Sequence, residues 1–197
     1  MKNLTIKISL MSMLIISAFV ISSCGGSKKM DKDTAERTGG FHELKLPCAD
    51  KGVSDKHYFR ASSVGHSRDL ATSREKALLM TKQRLATLIS STLKSVTERY
   101  VNEMDAGEGN EFSQTFENLT RDVVKQKLGD IKIICEKTGQ KDDGTYDTYM
   151  AIEMDKDVVL NGINAGISRD KKLETLYDKE RFKKTYEEEM NKLGGGN

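Results

Sequence analysis

From Leu70 to about Met104, apolar residues recur at helical spacing. Ala71, Leu78, Leu85, Leu88, Ile89, Val96 and Tyr100 fall on one stripe, with Arg74, Lys76, Gln83, Lys94 and Glu98 on the opposite side. The pattern predicts one long amphipathic helix. A striped helix must bury its apolar side against a second layer, and a sheet is the economical partner here. The flanking segments supply one. His57–Val64 (HYFRASSV) reads as a strand broken by Gly65, with Ser67 or Asp69 as the helix cap. Ile131–Glu136 (IKIICE) places Ile131, Ile133 and Cys135 on one face, and Tyr146–Met154 alternates through Thr148, Met150, Ile152 and Met154. Asp143-Gly144 is the turn signal between these two strands.

The remaining segments read as helices. Asp105–Asn110 breaks the long helix and lacks the oxygen spacing of a calcium loop. A second helix is predicted from Phe112 to Leu128, with Phe116, Leu119 and Val123 on one face and Gly129 closing it. Asp155 can cap a helix through Val158, Val159, Ile163 and Ile167. Lys171–Leu193 is charged, and its stripe skips a step between Tyr177 and Phe182, where Asp178 can start a new helix. This tail either packs back on the body or pairs with another subunit. The expected fold is α+β: a small antiparallel three-stranded sheet, in the order β-α-α-β-β, packed on the long helix, with C-terminal helices.

Before all this lies a short apolar run. Lys2 and Lys7 precede Leu10–Ile21, about a dozen apolar residues, which suits a signal peptide and is too short to span a membrane. Ile21-Ser22-Ser23-Cys24 resembles the cleavage motif of bacterial lipoproteins, with mild departures at Ile21 and Ser22. The resemblance implies a signal peptide at 1–23, a diacylglyceryl thioether on Cys24 and an acylated amino group. At ~0.8 kcal/mol per buried CH₂, several acyl chains make a permanent membrane anchor. Gly25 stands where an Asp would imply inner-membrane retention, so the implied address is the outer membrane of the cell envelope. Residues 24–46, rich in charge and glycine, read as a flexible tether.

Cleavage changes the charge argument. It removes two lysines and no acids, so 32 basic residues become 30 against 30 acidic. A neutral body gives no bulk-charge case for nucleic acid or anionic lipid as a partner. With Cys24 acylated, Cys48 and Cys135 remain in an oxidising compartment. They are either a disulfide or two separate thiols, Cys135 then being buried in its strand.

The block YFRASSVGHSRDLATSREKALLMTKQRLA (residues 58–86) is similar to the start of the LPP-twenty lipoprotein domain. QKLGDIKIICEK (126–137) and DGTYDTYMAIEM (143–154) fit its closing hairpin. The N-terminal domain of a flagellar assembly protein has a similar pattern. The LPP-twenty resemblance covers residues 57–155 and implies an envelope lipoprotein with a β-α-β-β layer, known as an antigen rather than an enzyme. It brings no catalytic residues. Residues 47–168 are read as this domain, and 169–197 as a charged C-terminal helix with a disordered end.

Little else carries chemistry. There is no phosphate loop, dinucleotide fingerprint or nucleophile elbow. His42, Cys48 and His57 lack any recognised metal-ligand spacing. His57, His66, Ser67 and Asp69 lie near the strand–helix junction, where they form either a small hydrolytic site or ordinary caps and turns. Arg60 is either a buried ion-pair former or exposed. The acids of the Asp143 turn read as a solvated tip. The leading expectation is therefore a non-enzymatic binding or assembly module without cofactor. It is anchored to lipid through Cys24 and contacts a second copy or an envelope protein. The alternatives are ligand binding in a helix–sheet groove and a hydrolase around His57, His66 and Ser67.

Overall fold

In the computed structural model, which describes residues 43–104 and 106–193, strand β1 (Tyr58–Ser67) turns at Arg68-Asp69 into helix α1 (Leu70–Val101). The expected signal peptide, Cys24, His42 and most of the tether lie outside the described residues. The Asp69 carboxylate accepts from the Thr72 backbone N–H and hydroxyl, both at 2.7 Å, which caps α1 and sets the corner. Then follow α2 (Ala106–Lys127), β2 (Lys132–Gln140), β3 (Tyr146–Asp155), α3 (Lys156–Ile167), α4 (Lys171–Leu176) and α5 (Lys179–Leu193). The sheet is antiparallel in the order β1-β3-β2, with helices on its inner face. The protein is thus α+β, with the expected element order.

β1 does not end at Gly65. It continues to Ser67, and Gly65 lies where α1 crosses closest. A β-carbon at Gly65 would stand 2.1 Å from the Ser73 carbonyl oxygen and 2.4 Å from the Ala77 nitrogen. The glycine permits contact between helix and strand backbones instead of breaking the strand. The predicted stripe also needs correction in the first half of α1. There the buried residues are Ser73, Ala77 and Thr81, at i,i+4 spacing, while Ala71 is exposed and Leu78 only half-buried. At this short separation a leucine has no room, so small residues face the sheet. Leu79 and Met80 are 68% and 41% exposed.

The buried hydroxyls are satisfied. Ser73 Oγ lies 2.9 Å from both the Gly65 carbonyl and Thr148 Oγ1. Ser63 Oγ lies 2.7 Å from Thr81 Oγ1 and 3.1 Å from the Ala77 carbonyl. Farther along, Leu85, Ile89, Val96 and Tyr100 are buried as the periodicity predicted, Leu93 joins them, and Leu88 is half-buried. The 32 residues of α1 extend about 48 Å, against about 33 Å for the ten residues of β1. The overhang is covered by other helices: Tyr100 packs with Phe112 of α2 and with Tyr177 and Phe182 from the C-terminal segment, and Phe116 of α2 stacks on Phe112 and meets Phe182.

That segment belongs to the core. Asp178 caps α5 by accepting from the Arg181 N–H at 3.0 Å, and Leu173, Phe182, Tyr186 and Met190 are buried. The boundary expected at residue 168 is therefore not a packing boundary, because residues 171–193 close the far end of α1. Lys156, at the start of α3, is only 2% exposed. Its ammonium donates to the Met190 carbonyl at 2.9 Å and sits 5.2 Å from the Phe59 ring centre, while burial pushes its pKa down. The Tyr186 hydroxyl donates to the Lys156 carbonyl at 2.8 Å, so α5 is pinned to α3.

β2 carries a bulge. Ile133 opposes Ile152 and Cys135 opposes Ala151, which leaves Ile134 as the extra residue. Ile133 and Cys135 therefore lie on opposite faces, not one, and Ile133 is 46% exposed. The hairpin closes at Gly144, whose φ of 79° is the left-handed conformation that glycine adopts readily. Among the described residues, no helix is long and apolar enough to cross a membrane.

Gly65→Ala should lower stability by about 1–3 kcal/mol through overpacking. Gly139→Ala, in the same sheet but with nothing within 4 Å of the new carbon, should change it little. Denaturant midpoints of the two variants check the pair.

Candidate functional site

The two edges of the sheet are treated differently. Along β1, the even-numbered residues turn their backbone groups away from β3, and several of these groups are capped. Asp55 accepts from the Tyr58 N–H at 2.9 Å, and its own N–H donates to the Tyr58 carbonyl at 3.1 Å. Ser54 Oγ accepts from the Arg60 N–H at 2.9 Å and donates to the Arg60 carbonyl at 3.4 Å. From α1, Arg84 donates to the Ser62 carbonyl at 2.7 Å and Lys76 to the His66 carbonyl at 3.2 Å. Residues 53–55 and these two side chains obstruct strand addition along this edge, while among the described residues the Val64 backbone groups and the Ser62 and His66 N–H groups keep no partner.

The β2 edge is open. Since the odd-numbered residues of β1 bond to Tyr146, Thr148, Met150, Ile152 and Met154, the intervening β3 residues bond to β2. Their partners are Lys132, Cys135, Lys137 and Gly139. Glu136, Thr138 and Gln140 therefore direct their N–H and C=O groups outward. Among the described residues, no side chain or loop bonds to those groups. Arg74 of α1 reaches Glu136 through two bonds, at 2.6 and 3.1 Å, which secures the strand from the inner face and leaves its edge free.

The outer face of the sheet is partly covered by the segment before β1. Cys48 and Cys135 form a disulfide with a Cα–Cα distance of 5.6 Å, closing a separation of 87 residues. Cys48 has a φ of 62°, uncommon for a residue other than glycine. Past the short turn Asp50–Gly52, a β-carbon at Gly52 would meet Ser62 Oγ at 2.3 Å, so this segment lies directly on β1. Arg60 then clasps both parts: it bonds to Glu153 of β3 at 3.0 Å and to Asp55 at 2.6 Å. Arg60 is thus a half-buried ion-pair former. Burial alone would raise the Asp55 carboxyl, but the His57 and Tyr58 N–H groups and the Arg60 guanidinium outweigh it and hold the pKa below the usual carboxylate value.

The residues of the expected hydrolytic site are not brought together. His57 and His66 are nine positions apart along extended chain, about 30 Å. His66 pairs with Asp147 at 2.7 Å on the outer face, and Lys141 holds the same carboxylate at 2.8 Å. Lys141 first, then His66, keep the Asp147 carboxyl below its ordinary range. Ser67 lies on the opposite face from His66 and accepts from the Asp69 N–H at 3.3 Å. Ser67 and Asp69 therefore make the α1 corner. At the turn, Thr145 bonds to Asp143 through its hydroxyl and backbone N–H and keeps that carboxyl low too, which suits a solvated tip.

Where α1 crosses β1 at Gly65, the helix and strand backbones meet and leave no room for a ligand at that crossing. A cleft of about 580 Å³ does open between α1 and α2, lined by Thr87, Ser91, Lys94, Thr97, Glu117 and Thr120 among others. Its hydroxyls bond back to their own helices: Thr87 to Gln83, Ser91 to Leu88, Thr97 to Leu93 and Thr120 to Glu117. The protons of these four hydroxyls are thus committed to helix carbonyls. Among the described residues, no group of three or more His, Cys, Asp or Glu side chains could hold a metal ion.

Comparison with protein-family models, curated proteins and solved structures gives no match to this chain.

The sequence reading missed the edge-capping residues Ser54, Asp55, Lys76 and Arg84. Asp55 had a local signal, an Asx turn entering a strand. Arg84 and Lys76 had none, because their targets lie 22 and 10 positions earlier in the chain.

Replacing both Cys48 and Cys135 by serine should cost about 4–5 kcal/mol, from the size of the loop released. Urea unfolding of the oxidised parent and the double variant measures it. Asp55→Asn should weaken acid sensitivity. A depressed carboxyl adds stability above the unfolded pKa near 3.9, and that stability is lost as pH falls through the lower folded value. The parent should therefore lose more stability than Asp55→Asn between pH 5 and pH 2, as read by thermal melts.

Proposed function

We propose that this chain is a lipid-anchored protein of the bacterial cell envelope, held at the outer membrane by acylated Cys24. It works without catalysis, as a binding or assembly module whose contact surface is the open edge of β2. The observation that carries this reading is the contrast between a capped β1 edge and an uncapped β2 edge in one small sheet. Folded proteins generally shield their edges, so a selective opening marks a place for added strand.

Other features support the address. The Cys48–Cys135 disulfide suits an oxidising compartment. The run from Leu10 to Cys24 suits export and lipidation. The resemblance of residues 57–155 to the LPP-twenty lipoproteins points the same way, and membership of that family is part of the proposal. The neutral mature charge speaks against nucleic acid as partner.

The test uses the full-length chain in a Gram-negative host. Labelled palmitate should enter the parent and be lost in Cys24→Ser. A photo-activatable residue at position 140, on the β2 edge, should cross-link to protein in intact cells, while one at position 64, on the β1 edge, should not. Absence of label, or equal cross-linking from the two edges, would sink the proposal.

A further inference from the structure

The β2 edge is self-complementary, and we infer that its partner is a second copy of this chain, paired antiparallel about a two-fold axis at Thr138. This inference rests on the reading of β2 as a contact edge and names what fills it.

The outward residues Glu136, Thr138 and Gln140 are the ones free to exchange backbone hydrogen bonds with an added strand. A two-fold axis at Thr138 sets Thr138 opposite Thr138 of the second copy, and Glu136 opposite Gln140 twice. Three such pairs make about six backbone hydrogen bonds, two for each hydrogen-bonded pair. On the outer face the same register sets Lys137 opposite Gly139, whose position has nothing within 4 Å. An axis at Glu136 would place two carboxylates face to face, an axis at Lys137 would oppose two lysines, and an axis at Gly139 would oppose Lys137 to Lys141. Like charges directly opposite are destabilising. An axis at Gln140 would pair Glu136 with Gly144, beyond the end of the strand. The Thr138 register alone avoids each of these faults.

Two further features fit. The bulge at Ile134 ends the straight part of β2, so pairing is confined to Cys135–Gln140. The capped β1 edges then become the two outer ends of a continuous sheet, β1-β3-β2-β2-β3-β1, with both sets of helices on one face. A contact that uses the same edge on both copies closes on itself. The capping by Asp55, Ser54, Arg84 and Lys76 obstructs further strand addition, so the product is a dimer and not a fibre.

Sedimentation equilibrium of the full-length chain in density-matched detergent tests this. The parent should show a concentration-dependent dimer. Gln140→Lys places a lysine opposite Glu136 twice per dimer and should tighten the dissociation constant about 2- to 30-fold, while Gln140→Glu should loosen it by a similar factor. Both changes are on the exposed edge, and unchanged thermal melts of dilute protein confirm folding. A dimer indifferent to both variants overturns the inference, because it then forms elsewhere. A monomer at all concentrations also overturns it. If position 140 still cross-links a different protein in cells, the β2 contact survives without the homotypic partner. If it captures nothing, both readings fail.

Discussion

The close contact between α1 and β1 is the constraint on which the rest of the protein depends. Gly65 removes the side chain that would collide with the helix backbone, and Ser73, Ala77 and Thr81 present the small surface that the short distance requires. Apolar burial is modest at such a contact. It is held instead by satisfied hydroxyls, from Ser63 to Thr81 and from Ser73 to Gly65 and Thr148. A buried hydroxyl without a partner would cost 1–3 kcal/mol, so these bonds also fix the register of helix on sheet. Once α1 is set there, its apolar second half must overhang the sheet. The aromatic cluster around Tyr100 and the packing of α5 follow from that overhang.

The sheet has three strands, so its central strand is β3 and both its first and its second strand are edges. The chain shields one of them. Residues 53–55 are drawn along β1, and Arg60 ties Asp55 to Glu153 across the sheet. The disulfide holds the beginning of that segment to Cys135 of β2, so the outer face is bridged from one edge strand to the other. The bridge passes over the face of β2 and leaves its edge groups unpaired. Rigidity and accessibility are thereby separated: β2 is secured by Cys135, by Arg74 and by pairing with β3, while Glu136, Thr138 and Gln140 stay open. That combination suits a surface that adds a strand without rearranging.

Much of this was legible in the sequence. The order of elements, the long helix, the Asp69, Asp155 and Asp178 caps, and the Asp143-Gly144 turn are local signals, and local hydrogen bonding produces them. The errors have a common cause. Gly65 read as a break because strand propensity says nothing about what crosses above the strand. Ile133 and Cys135 read as one face because strict alternation cannot reveal a bulge. The candidate site was scarcely legible: His57, His66 and Ser67 are conspicuous residue types, yet extended backbone keeps them apart, and the open edge is a property of backbone groups that every residue carries.

Taken alone, the sequence establishes an α+β chain with one dominant helix, three cysteines, and 30 basic against 30 acidic residues after residue 23. These follow from periodicity, capping and counting, which depend only on neighbours in the chain. Tertiary structure settles which helix face is buried, that residues 171–193 pack into the core, that Arg60 is paired and that one sheet edge is partly capped. Each of those outcomes requires groups distant in sequence to meet. A backbone N–H is open or satisfied only according to what the rest of the chain places beside it.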